Sequence, residues 1–397
     1  MRSLWFRPAL FAVLSFATLA VAPALEPFVP PGLSDRLTVD DLGSVLSVLA
    51  SSMLGVAVFS IGAMVSALEA AASAATPRAR PLLTEDETAQ TAISTFIGAF
   101  IFSVLGLIGL AFDLYGPAAR AVMIGLTIAL IVLVIFVLVV WIRKLSDMGG
   151  VSEAILRIER ATESAALRVA RDPRLGDRRG AAPPAGAPEV EADAFGVVQM
   201  IDGPALTALA DQIGADLHLA LRAGAEVHPR APLLSVAFDD PAATLDQETA
   251  RRLRACFVIG RRRTFEHDPR FGLVALSEIA SRALSPAVND PGTAIEAVAA
   301  QTRLLSGWAA AASEAQDSDA SDARLHAPPI CAQTLLQDAF RAIARDGAGL
   351  VEVAVSLQRA LGALAVVAPD RFAGPCRAES AAAAARAAEA LTHSVDR

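Results

Sequence analysis

The sequence predicts an α-helical membrane protein with four transmembrane helices, followed by a cytoplasmic α+β domain that pairs a small β-rich unit with a helical region. Three observations carry that fold class. Apolar segments of spanning length crowd into the first third of a 397-residue chain, and none follows Lys144. Basic residues concentrate on one side of those segments. The rest of the chain is charged and turn-rich, with apolar periods that alternate between strand and helix spacing.

Each expected span is near the ~20 residues that a bilayer requires. The spans run from Pro8 to Leu25, Val45 to Leu68, Ala92 to Phe112 and Ala118 to Ile142, the last with Trp141 as an interface anchor. The first has a rival reading as a signal peptide, because Arg2 and Arg7 precede it and Ala22-Pro23-Ala24 resembles a cleavage site. A retained helix is the favoured reading: the apolar run is long for a signal sequence, and further spans follow. Arg2, Arg7, Arg78, Arg80, Arg143 and Lys144 fall on one side, with Arg36 and Arg120 as exceptions. The positive-inside rule then puts both termini and the soluble region in the cytoplasm.

In the second span Ser51, Gly55, Gly62, Ser66, Glu69 and Ser73 recur at helical spacing and form a small, polar stripe. Two readings apply. Small residues let helices approach closely. Alternatively the stripe lines a polar pathway, with Glu69 as its ionisable group.

Composition removes several function classes. The net charge is −8, so no nucleic-acid partner is expected. Lys144 is the only lysine, which excludes a P-loop lysine, a Schiff base, or a lipoyl or biotinyl attachment in the soluble region. Cys256, Cys331 and Cys376 are far apart and form neither a disulfide framework nor a zinc motif. No cofactor is expected.

The domain reading is 1–145 for the membrane unit, 146–192 for an amphipathic helix and linker, 193–245 for a small β-rich unit, and 246–397 for a mainly helical region with a flexible insert near 310–329. The helix Val151 to Arg171 is a stalk, an oligomer contact, or a helix packed on its own domain. Two dense polar stretches follow, Arg261 to Pro269 and Leu284 to Ala294. In each, an Asp-Pro pair reads as a helix start, with Asp268 and Asp290 as N-caps. The helix from Pro291 is expected to bury Ile295, Val298, Ala299 and Leu304, and a last helix is expected over Glu379 to Leu391. The functional alternative to capping is that Arg263, Glu266, His267, Asp268, Arg282, Asn289 and Asp290 converge on one polar pocket, where the arginines receive an anion or phosphate, pair with local acids or lie against anionic lipid. A metal at His267 is disfavoured, because adjacent side chains do not all point one way.

The chain resembles the uncharacterised bacterial membrane-protein family catalogued as domain of unknown function 2254. The likeness rests on Ser3-Leu4-Trp5-Phe6, Phe59-Ser60, Thr76-Pro77-Arg78, the stretch Arg263 to Gly272 and, most specifically, the stretch Ala280 to Pro291. It covers nearly the full length and implies four membrane helices with a cytoplasmic domain, at a bacterial inner membrane, with no activity to carry over.

Three functions are weighed. The first is an oligomeric channel or transport-type protein with a cytoplasmic regulatory domain. The second is a membrane-anchored sensor or scaffold that binds a small anion or a protein partner. The third, an enzyme, ranks last, because no Ser-His-Asp set, metal motif, phosphate loop or dinucleotide fingerprint is readable. The expected partners are the lipid bilayer and further copies of the chain. The sequence leaves any small-molecule or ion ligand unidentified.

Overall fold

The computed structural model describes residues 13, 17, 39–74, 76–79, 82, 87–147, 150–172, 182–316 and 324–393. The chain divides into two compact units, one of Met1–Ala74 with Arg80–Glu153, the other of Ala75–Ala79 with Ala154–Arg397.

In the first unit, α1 (Val39–Ala74), α2 (Glu87–Ala111) and α3 (Pro117–Asp147) are long and apolar enough to cross a membrane. They correspond to the expected second, third and fourth spans. The expected first span, Pro8 to Leu25, lies outside the described residues except for Val13 and Ala17. Three spans therefore stand among the described residues. Each helix turns apolar side chains into a shared core: Leu42, Leu46, Leu49 and Met53 on α1; Ala89, Ala92, Phe96 and Ala99 on α2; Ala119, Met123, Leu130 and Val134 on α3. Gly106 sits where all three meet, with a β-carbon position 3.0 Å from Leu46 and 3.1 Å from Met123. Two buried hydroxyls are satisfied within their own helices: Ser103 Oγ donates to the Ala99 carbonyl at 2.8 Å, and Thr127 Oγ1 to the Met123 carbonyl at 2.7 Å, whereas the buried Ser60 hydroxyl of α1 has no hydrogen-bond partner. Trp141 is a correction. It is buried in this core and its indole N–H has no hydrogen-bond partner, so it is not turned outward as an interface anchor. The outer surface keeps Val48, Val58, Phe59, Ile128, Val132 and Phe136 exposed, as a bilayer-facing surface requires.

The second unit has a β part and a helical part. The four-stranded sheet runs in the order β1 (Glu189–Glu191), β5 (Pro232–Phe238), β3 (Ala215–Leu219), β7 (Leu325–His326). The three-stranded sheet runs β4 (Glu226–Val227), β2 (Gly196–Ile201), β6 (Phe257–Gly260). All pairs are antiparallel except β3 with β7. Helix α5 (Gly203–Ile213) is capped by Asp202 and ends at Gly214 in left-handed geometry. Helix α6 (Gln247–Ala255) is capped by Asp246. Leu206, Leu217, Leu233, Leu234 and Leu253 fill the core between these elements. Strand β7 lies in the stretch read as a flexible insert. Arg324 holds it beside the sheet by a bidentate pair to Asp239 at 2.8 and 3.0 Å.

The helical part consists of α4 (Val151–Arg171, in this unit from Ala154), α7 (Pro269–Ala283), α8 (Pro291–Gln316), α9 (Ala332–Asp346), α10 (Val351–Val367) and α11 (Pro369–Ala390). Helix α4 packs on its own unit. Thr162 presses on Gly272 of α7, and Glu159 accepts two bonds from Arg303 of α8 at 2.7 and 2.8 Å. Helix α8 buries Ala294, Ala297, Val298, Gln301 and Leu304, while Ala299 is exposed, contrary to the sequence reading. Residues 76–79, between α1 and α2 in sequence, belong to this unit: Thr76 and Ala79 are buried, and Arg78 pairs with Glu278 of α7.

Candidate functional site

A cavity of about 360 Å³ opens where the β3–β4 turn meets the starts of α7 and α9. Its construction begins with Asp268. This residue caps α7 by accepting from the Phe271 amide at 3.2 Å, and it is only 2% exposed. Its other oxygen accepts from Arg263 Nε at 2.6 Å. The Arg263 guanidinium also lies 5.2 Å from the centre of the Phe271 ring, which packs at a tilt against Phe265. One local motif, Asp-Pro at a helix start, thus anchors a cation beside the cavity.

The facing turn, Arg222 to Ala225, approaches through Gly224. Its φ is +91°, and a β-carbon there would strike the Asp268 carboxylate. Arg222 Nε donates to the Pro328 carbonyl at 2.6 Å and ties this turn to the segment that enters α9. Arg270 is held by Asp338, which accepts from Nε at 2.6 Å and keeps the guanidinium firmly protonated. The remaining lining is largely apolar and includes Val169, Ile201, Leu219, Leu221 and Ile330.

Two titratable side chains face the same space. Burial, and then the Arg168 charge, lower the His267 pKa below its ordinary 6.5, so the ring is neutral at pH 7. Cys331 stands at the N-cap of α9. The Thr334 hydroxyl first, then the amides of Thr334 and Gln333 and the Arg270 charge, favour its thiolate and hold its pKa below the ordinary thiol value. Burial pushes the other two thiols the opposite way, Cys376 up to about 11. Three arginines line the cavity beside the starts of two helices, Arg263 paired with Asp268 and Arg270 with Asp338.

Of the pocket residues read from the sequence, the structure brings Arg263, His267 and Asp268 together. Glu266, next to them in sequence, is exposed and turns away from the lining. Arg282, Asn289 and Asp290 lie at the other end of α7, roughly 20 Å along its axis. Asp290 caps α8, accepting from the Thr293 amide at 3.1 Å and its hydroxyl at 2.6 Å, which lowers its pKa. Asn289 takes φ +51° in the turn before it. Arg222, Arg270 and Cys331 were not singled out as site residues. Arg222 and Cys331 enter from turns roughly 40 to 70 residues away, and no local pattern marks any of the three. In the first unit, Ser51, Gly55, Gly62, Ser66 and Glu69 all lie on the exposed face of α1, and no atom outside the helix comes within 4 Å of a β-carbon at Gly55 or Gly62. Among the described residues, no three His, Cys, Asp or Glu side chains are placed to hold a metal ion.

Fold and site together define a helical membrane protein that carries a mixed α/β unit with an arginine-lined cavity. The chain belongs to the family described as "Predicted membrane protein (DUF2254)", whose model matches residues 1–363. Searches of curated proteins and of solved structures returned no match.

Proposed function

We propose that this chain is a membrane-anchored receptor for a small anion, with the ligand seated in the cavity of its second unit. The observation that carries the reading is the grouping of Arg222, Arg263 and Arg270 around a preformed cavity at the starts of α7 and α9. The anchor is four helices, the described three plus the segment 8–25. The receptor unit faces the cytoplasm of a bacterial inner membrane, on the arginine placement. Arg78, one of the cations in that placement, pairs with Glu278 within the second unit, which supports the reading.

The channel reading has less support. The polar stripe of α1 faces away from the core of its own chain, so any path along it would have to form between copies. That same placement favours the stripe as a contact between chains.

Thermal unfolding of the full-length protein with sulfate, phosphate and benzoate tests the receptor reading. At least one anion is expected to raise the Tm of the natural protein and not that of Val169→Trp, which fills the cavity. No shift with any of the three, or an equal shift in the variant, would refute it.

A further inference from the structure

We infer that the turn from Ser285 to Asp290, with Arg282 at its base, docks the second unit on the phospholipid surface. The inference is independent of the cavity and its ligand, which lie at the opposite end of α7.

The turn presents hydrocarbon outward on a fixed frame. Pro286, Ala287 and Val288 are exposed in succession, Val288 by 51%. The Ser285 carbonyl accepts from the Val288 amide at 3.0 Å and the Asn289 amide at 2.9 Å, and the Ala283 carbonyl accepts from the Asp290 amide at 2.8 Å. Asn289 reverses the chain at φ +51°, and the Asp290 carboxylate is engaged as the α8 cap. Pro286 has no amide hydrogen to satisfy. Such a tip suits the headgroup region of a bilayer. Its apolar side chains gain by leaving water, and the bonded part of its backbone loses nothing there. Arg282 is exposed beside it, with a long stem that can lie on apolar surface while the guanidinium meets a lipid phosphate.

Chain continuity selects lipid as the occupant. Residues 76–79 belong to the second unit, yet in sequence they join α1 to α2, both long and apolar enough to cross a membrane. Within that unit Arg78 pairs with Glu278, in the later half of α7. The stretch from Ala71, where the apolar part of α1 ends, to Arg78 reaches ~25 Å at most when fully extended. From Glu278 to the end of α7 at Ala283 the helix advances only about 8 Å. The chain itself therefore tethers this end of α7 close to the bilayer, which gives lipid an effective concentration that no free partner has.

The test uses the full-length chain, loaded at one copy per nanodisc of phosphatidylcholine with phosphatidylglycerol. A nitrobenzoxadiazole label sits on Ala287→Cys in a Cys331→Ser background, where the remaining thiols, Cys256 and Cys376, are buried. Lipids with a nitroxide headgroup quench a label at the surface, and iodide quenches one in water. Strong quenching by the nitroxide lipid and weak quenching by iodide are expected. Val288→Asp should lower the ratio of docked to free turn roughly tenfold or more, and Arg282→Gln about fivefold, each with an unchanged thermal transition. A label open to iodide and untouched by the nitroxide lipid would overturn the contact. A label shielded from iodide without lipid quenching would put protein on the turn and overturn it as well. Lipid quenching unchanged by Val288→Asp would overturn the role of the apolar tip. None of these results depends on anion binding, so the cavity reading and this one fail separately.

Discussion

Gly224 lies against the Asp268 carboxylate with no room for a β-carbon, and its φ of +91° is one that only glycine adopts without strain. The turn after β3 and the cap of α7 are therefore fitted to each other, and the cavity between them depends on both. Gly224→Ala is expected to lower stability by about 1–3 kcal/mol from backbone strain, with the clash adding to it. Chemical denaturation of the full-length protein measures the loss, and a change within error would contradict the fit.

The two Asp-Pro motifs should respond differently to the same substitution. Asp290 is exposed and only caps α8, so Asp290→Ala should cost about 1 kcal/mol. Asp268 caps α7 and also pairs with Arg263 from a buried position. Asp268→Ala should cost about 2–4 kcal/mol. Equal losses, read from unfolding midpoints at a common slope, would mean that the Arg263 pair contributes nothing.

Cys331 should be the thiol that reacts in the folded protein. Its alkylation rate should level off at a lower pH than an ordinary thiol, because the Thr334 hydroxyl and the neighbouring amides favour the thiolate. Cys256 and Cys376 should label only on unfolding, since burial raises both. In intact cells a membrane-impermeant maleimide should miss Cys331 and reach it only after permeabilisation. Labelling of intact cells would reverse the proposed orientation.

His267 gives the site a pH dependence with a defined sign. Its folded pKa lies below 6.5, so near that pH the unfolded chain binds a proton that the folded chain refuses. The stability that the neutral ring provides is present above the ordinary histidine pKa and is lost as pH falls below it. A bound anion opposes that loss by favouring the imidazolium, so affinity for benzoate should rise as pH falls. His267→Gln should flatten both trends between ~pH 7.5 and ~pH 5.5. Melting curves and binding isotherms at those two pH values, for both proteins, check the sign.

The outward stripe of α1 predicts self-association. Gly62 has open space at its β-carbon position, so Gly62→Leu should leave the chain's own packing intact. If copies meet there, the variant should shift from oligomer to monomer in light scattering. An unchanged mass would remove the stripe as the contact.

What the sequence made legible follows from range. Helix starts at Asp268 and Asp290 were readable because capping is settled within four residues. The apolar spans were readable because bilayer thickness fixes their length. The site was half readable. Arg263, His267 and Asp268 share one short stretch, but Glu266 beside them turns outward, and α7 carries Arg282, Asn289 and Asp290 away from them. Arg222 and Cys331 join through tertiary packing that no periodicity encodes. Strand β7 has two residues, too few for an alternating pattern, and pairs with β3 across about a hundred positions. The buried face of α8 was misjudged at Ala299, because an alanine-rich helix offers little contrast between its faces. Helix α11 begins ten residues before its expected start and runs through Pro375, which ordinarily reads as a break.

The central claim is that the second unit binds a small anion in the cavity between Gly224 and the starts of α7 and α9. Isothermal titration calorimetry of the full-length protein with sulfate, phosphate and benzoate in turn, beside Val169→Trp, tests it most directly. The account predicts one saturable site per chain in the natural protein and none in the variant. Absence of saturable heat in both, or an equal isotherm in both, would contradict it.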